Sequence, residues 1–177
     1  MPLVIWTLQM PENKKQYYFD AVTLCNFALA HCVDLLIKRY GSNIFVTSEV
    51  RDEIANGIAV GYHDLLDIEL AVSRKHFSEA AMTTSERELY IDFLHYMGAG
   101  ESSCIACAKL RGGVVVSDDK TARDCCAKHG IAFTGTIGVL KSSCPDACIT
   151  VQAADDILHE MIRQGFYSPV RSISDIM

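Results

Sequence analysis

Five carboxylates carry the chemistry this sequence can do: Asp20, Glu53, Glu101, Asp118 and Asp119. Each falls at the end of an expected strand or near the start of an expected helix, where a side chain projects toward one rim of a sheet. Carboxylates gathered in one place repel, so they take up protons or bind cations. Hard oxygen donors suit Mg²⁺ or Mn²⁺, and either ion can orient a water, lower its pKa and neutralise charge on a phosphodiester. Hydrolysis by that route needs no nucleophilic side chain. Each acid also has a plainer use. Asp20 and the Asp118-Asp119 pair fit helix N-caps, Glu53 fits a solvated helix face, and Glu101 fits the favourable end of a helix dipole. Lys120 and Arg123 follow within one helical turn and fit either a phosphate contact or a solvated face. The six histidines form no H-E-x-x-H pair, and no G-x-x-x-x-G-K-[ST] phosphate loop is present.

The elements that must position these acids alternate between strand and helix. Tyr17-Tyr18-Phe19 predicts a strand ending at Asp20, followed by one helix over 21–40 with apolar residues at 24, 27, 28, 32, 35 and 36. Ile44-Phe45-Val46 predicts a second strand, with Thr47 or Ser48 capping a helix from Glu49 to about Asn56 that stops near Gly57. Ile68 to Val72 reads as a third strand. A capped helix begins near Thr83-Thr84-Ser85-Glu86, and Gly98-Ala99-Gly100 precedes a helix over 101–110. Val114-Val115-Val116 is an apolar strand before Ser117, a helix follows over 120–129, and Ile131-Ala132-Phe133 closes the strands. Two or three helices fill the remainder. Strands separated by helices predict a parallel sheet covered on both faces, with ligands beyond the carboxyl ends of its strands. The segment Leu3 to Leu8 is a candidate edge strand.

Length and charge bound the rest. The chain has 177 residues, half of them apolar, and predicts a single domain over 1–177 with an extension over 1–16. No apolar run reaches the length of a membrane span, and the opening segment lacks a basic leader, so a cytoplasmic protein with no membrane contact is expected. The formal charge of −6 is the wrong sign for gripping nucleic acid by bulk electrostatics, so local basic groups, bound cations or a basic partner are required. Eight cysteines without a secretory leader argue against a disulfide framework. Cys104-x-x-Cys107 and Cys144-x-x-x-Cys148 loosely resemble zinc spacing. The first pair sits in a small-residue helix, however, where packing explains it more simply.

Taken together, Phe19-Asp20-Ala21-Val22-Thr23-Leu24, Val50-Arg51-Asp52-Glu53-Ile54, Gly98-Ala99-Gly100-Glu101, Val114 to Asp119 and Gly130 to Leu140 resemble the PIN-domain family, in particular the VapC-like toxins and their relatives. The likeness runs from about Tyr17 to Met177. It implies a three-layer α/β/α sandwich around a parallel sheet of about five strands, and a metal-dependent ribonuclease site using Mg²⁺ or Mn²⁺. Carried over, Asp20, Glu101 and Asp118, with Asp119 as an alternate, take the metal positions, and Glu53 is a further catalytic acid for which Asp52 and Glu49 compete. Ser117 and Thr23 match hydroxyl positions beside the acids and, with Lys120 and Arg123, are the candidate substrate-binding residues. The resemblance also implies an RNA substrate, an antitoxin partner covering the site, and a homodimer. The alternative within the family is a catalytically degraded fold serving as a protein- or RNA-binding module. Two features depart from its pattern: Glu101 stands where Asp is common, and a segment precedes Tyr17.

Overall fold

The computed structural model describes residues 15–177. The candidate strand over Leu3 to Leu8 lies outside them. Four of the five short strands lead within three residues to a side chain that caps the following helix: Asp20, Thr47, Thr83 and Asp119. β1 (Tyr17–Phe19) leads through Asp20 into α1 (Ala21–Leu29), and α2 (Val33–Tyr40) follows. β2 (Ile44–Thr47) leads into α3 (Ser48–Ala59), with the Thr47 hydroxyl accepting from the Val50 amide at 3.3 Å. α4 (Leu66–Ser73), β3 (Ser78–Ala80), α5 (Thr84–Phe93) and α6 (Ala99–Arg111) come next. β4 (Val114–Val116) then leads through Ser117 to Asp119 into α7 (Lys120–His129), followed by β5 (Ala132–Thr134), α8 (Thr136–Ser143) and α9 (Val151–Arg163).

The strands form one parallel sheet in the order β3-β2-β1-β4-β5. From β1 the chain steps outward to β2 and β3, then returns to β4 and steps the other way to β5. Right-handed crossovers therefore place α1–α4 on one face and α5–α7 on the other. The result is a three-layer α/β/α sandwich. The reversal falls between β1 and β4, whose registers pair Phe19 with Val116. Asp20 and Ser117 stand next beyond that pair, and the Asp20 amide continues the ladder to the Val116 carbonyl at 3.1 Å. In open α/β sheets that crevice is where ligands bind.

Burial follows the strand pattern. Val115 and Val116 are fully buried, as sheets covered on both faces require. α6 is the central helix of its layer, and Ser102 to Ala108 are all buried along it. Cys104 and Cys107 are core residues of that helix. The Cys104 thiol donates to the Phe19 carbonyl at 3.4 Å, and burial drives it well above the ordinary thiol range. Both cysteines are packing residues, as the small-residue setting implies.

Three expectations about elements are corrected. Ile68 to Val72 is helix, not strand: Ile68, Ala71 and Val72 are its buried residues, at the i, i+3, i+4 spacing of a helix face. The third strand is instead Ser78–Ala80, which has no β-branched residue to advertise it. The single helix expected over 21–40 is broken at His31, whose φ of 53° ends α1 although no glycine or proline marks the break. The helix from Ser48 also runs on to Ala59 through Gly57, where a side chain would meet Leu65 Cδ1 at 2.7 Å, so the glycine serves close packing and not a stop. The helices expected over 101–110 and 120–129, and the Thr83 cap with its reciprocal Glu86 contact, are found.

Candidate active site

Asp20 is the centre of the rim. It is 1% exposed, and its Oδ1 accepts from the Thr23 amide at 2.7 Å, so it does cap α1. Capping uses one oxygen. The other, Oδ2, is buried with no hydrogen-bond partner, and the neighbouring Thr23 hydroxyl is likewise unpaired. Burial is the main reason the Asp20 carboxyl is pushed up from 3.8 to about 6. The nearby Ser117 and Thr23 hydroxyls offset part of that rise without forming a full hydrogen bond, and the charge of Asp118 adds to it. A buried carboxylate oxygen with nothing to answer it is costly, and native structures retain such groups where a ligand completes them.

The other acids stand around this point, each held by its own element. Asp118 accepts from the Thr136 amide at 2.9 Å and the Thr136 hydroxyl at 2.5 Å, with the Asn26 amide group at 3.4 Å. Asp119 is exposed and caps α7, accepting from the Ala122 amide at 2.8 Å, while its own amide donates to the Ser117 hydroxyl at 3.1 Å. Glu53, on α3, accepts from the Gly100 amide at 2.9 Å, and partial burial with the Glu101 charge raises its pKa. Glu101 lies in the first turn of α6. The charges of Asp20, Glu101 and Glu53 each help raise the buried Cys104 thiol, so these acids lie in the same region of the sheet end.

They share a rim without closing on it. Among the described residues, no three Asp, Glu, His or Cys side chains are close enough to hold a metal ion. The physical reason is visible in the partners: Asp118, Asp119 and Glu53 each turn to a local backbone or hydroxyl donor, which answers their charge without a cation. Among the described acids, only Asp20 is left with a buried oxygen that has no partner. The donor set is nevertheless all oxygen, and that orphaned atom fits a hard divalent ion. Lys120 is exposed and turned to Asp124 at 2.5 Å, whereas Arg123 borders a cavity of about 240 Å³ together with Asp118.

The parallel strands in this order carry an acid beyond each of the two strands at the reversal. The family model DUF3368, described as a PIN domain, matches residues 16–177. The chain belongs to the PIN-domain family. No curated protein matches it. As a PIN domain it has a nuclease-type fold, in a family that typically uses divalent metals.

Two residues of this PIN domain's rim escaped the reading of its sequence. Asn26 lies on α1 two turns beyond Asp20, and Thr136 opens α8. Both act on Asp118 across more than 15 residues of chain, as only the folded sheet end allows. The Thr134-Gly135-Thr136 phrase was the signal available for the second. For Asn26 none existed.

Gly135 gives a direct test of this arrangement. A Cβ there would collide with Asp118 Oδ1 and come within 3.2 Å of the Ser117 carbonyl. Gly135→Ala therefore displaces Asp118 from its Thr136 contacts. Nuclease activity is expected to drop about 10–100-fold, the scale for disturbing groups that orient a metal site, with a small change in melting temperature. Activity within two-fold of wild type would show that the position of Asp118 is immaterial.

Proposed function

We propose that this PIN domain is a metal-dependent endoribonuclease, with Asp20, Asp118 and Glu101 as the acids that would hold Mg²⁺ or Mn²⁺ and Glu53 as a further catalytic acid. Asp119 is the alternate ligand beside Asp118. The observation that carries the reading is the buried, partnerless Oδ2 of Asp20 at the sheet's reversal point, with the remaining acids around the same rim. When bound, a divalent ion would supply an activated water and neutralise charge on the phosphodiester. The chain's own residues do the rest. Thr23 and Ser117 orient Asp20, Asn26 and Thr136 orient Asp118, and Arg123 beside Asp118 offers a bidentate contact to a substrate phosphate. Lys120, turned to Asp124, is a weaker contributor.

The toxin role, an antitoxin that covers the site, a homodimer and a cytoplasmic location extend the same proposal on the strength of the family resemblance. One observation favours a second reading, an assembly module that has lost its metal: three acids are already satisfied by local donors.

Cleavage of an end-labelled RNA separates the two readings. Purified protein is expected to cut it internally with Mn²⁺ or Mg²⁺ and to stop on addition of chelator. Equal, negligible cleavage with and without metal would favour the module.

A further inference from the structure

One side of α7 borders a groove unlike the acidic rim. It has a volume of about 690 Å³ and lies between the end of α5, the far half of α6 and α7. Its walls alternate planar and cationic groups: Phe93, His95, Tyr96, Lys109, Lys128 and His129. Tyr96 is 75% exposed, and the His95 ring meets it edge-on at 6.3 Å. The His129 ring packs edge-on against Phe93 at 5.5 Å. Lys109 lies 6.0 Å over the Phe93 ring, and its ammonium donates to His129 Nδ1 at 3.1 Å.

On a chain of net −6, this groove is formally balanced, with Lys109 and Lys128 against Asp92 and Asp124. Among the described residues, neither Lys109 nor Lys128 forms a salt bridge with a carboxylate. Two acids also border the groove, Asp92 and Asp124, but Asp124 is already paired with Lys120. Lys109 and Lys128 therefore stand against Asp92 alone, and Lys109 gives one N–H to His129 Nδ1.

The groove also leads somewhere. α7 starts immediately after Asp119 and carries Lys128 about 14 Å along its axis, so the helix that opens at the candidate catalytic rim forms the groove's wall. Met97, which precedes the glycine break before Glu101, borders it as well.

We propose that this groove is a track for a single-stranded stretch of RNA, holding the nucleotides that flank the scissile bond. The proposal rests on the nuclease reading for the role of the rim, but not for binding itself. Lys109 and Lys128 meet phosphates, and the exposed face of Tyr96 stacks a base, which requires an unpaired strand. Two lysines that have no carboxylate partner among the described residues favour a polyanion over a second copy of this acidic chain.

The test is fluorescence anisotropy of a short labelled single-stranded RNA in chelator, where nothing is cut, against wild type, Lys109→Ala/Lys128→Ala and Tyr96→Ala. The double variant is expected to bind about ten-fold or more weakly, with the salt dependence of binding reduced by about 1.4 in log–log slope. Tyr96→Ala is expected to lose about ten-fold, the scale of one stacked base. Hydrolysis of a small phosphodiester with Mn²⁺, which needs no track, should be unchanged in all three proteins. Wild-type affinity in the variants, no binding by wild type, or a preference for duplex RNA each overturns the track. A change in oligomer size by light scattering, with RNA affinity kept, would assign the groove to a second copy instead. Loss of small-substrate hydrolysis in wild type would fail the nuclease reading alone and leave the binding result to stand.

Discussion

Asp20→Asn is expected to abolish RNA cleavage while making the metal-free protein more stable. Asparagine keeps an oxygen for the Thr23 amide, so the cap on α1 survives. What it removes is the charge on a carboxylate that is 1% exposed and has one oxygen with no partner. Activity should drop about 100-fold or more, the scale for deleting a group that organises charge in a hydrolytic site. Stability should move the other way, and the pH dependence gives the sign. The folded state holds the Asp20 proton up to about 6, whereas the unfolded chain releases it near 3.8. The raised pKa is therefore worth stability that is complete below 3.8 and lost as pH rises through about 6. Above that window the ionised carboxylate costs the metal-free fold about 3 kcal/mol relative to its protonated form. Denaturant melts from acid to neutral pH should show wild type losing stability relative to the variant across that interval and a constant difference above it. A variant less stable than wild type at neutral pH in chelator would remove the argument that this charge awaits a cation.

Arg111→Ala is expected to cause the largest loss of stability among side chains outside the hydrophobic core. Arg111 ends α6 and reaches back to Glu86 in the first turn of α5, with Nε to Oε1 at 2.5 Å and Nη2 to Oε2 at 2.7 Å. The same guanidinium donates to the Ala81 carbonyl at 2.6 Å. Glu86 is 2% exposed and also closes the capping box with Thr83, so it cannot turn to water when its partner is gone. Breaking a buried pair from that side leaves an uncompensated charge and costs about 3–5 kcal/mol, which for a chain of this size lowers Tm by about 10 °C. The hydrogen bonds to Arg111 hold the Glu86 carboxyl below its ordinary value. Its contribution is present above the ordinary carboxylate pKa and is lost as pH falls through the depressed one. Glu86→Ala should cost less, because Arg111 is partly exposed and can be rehydrated. Equal melting temperatures for wild type and Arg111→Ala would show that the pair contributes nothing net. The bridge ties down the far end of the helix that carries Glu101, so a loose α6 should also blunt activity.

The two predictions separate what the sequence could reveal from what it could not. β1, β2 and β4 were legible because aromatic and β-branched runs end in a capping residue, and the same ends carry Asp20 and Asp118. The helices over 99–111 and 120–129 were legible from the glycine break and the acidic start. Short elements without those marks were not. Ser78–Ala80 is a strand because it pairs with β2, not because its residues prefer extension. Ile68 to Val72 satisfied both strand and helix patterns, and only packing against α1 and α2 decided between them. The acids themselves were found from sequence, but their hydrogen-bond partners were not. Asn26 and Thr136 reach Asp118 across the end of the sheet; the Thr134-Gly135-Thr136 phrase hinted at the second, and nothing local marks the first. That the rim is gathered but not closed is likewise a property of those partners rather than of the acids.

The central claim is that Asp20 anchors a carboxylate site for a divalent ion, and a thermal-shift titration with Mn²⁺ at neutral pH on wild type and Asp20→Asn tests it most directly. Binding to the folded state alone raises Tm in proportion to the logarithm of metal over its Kd. Wild type, starting from the lower metal-free Tm, should be stabilised progressively by Mn²⁺, and Asp20→Asn should shift far less over the same range. Parallel shifts in both proteins, or no shift in either, would contradict the claim.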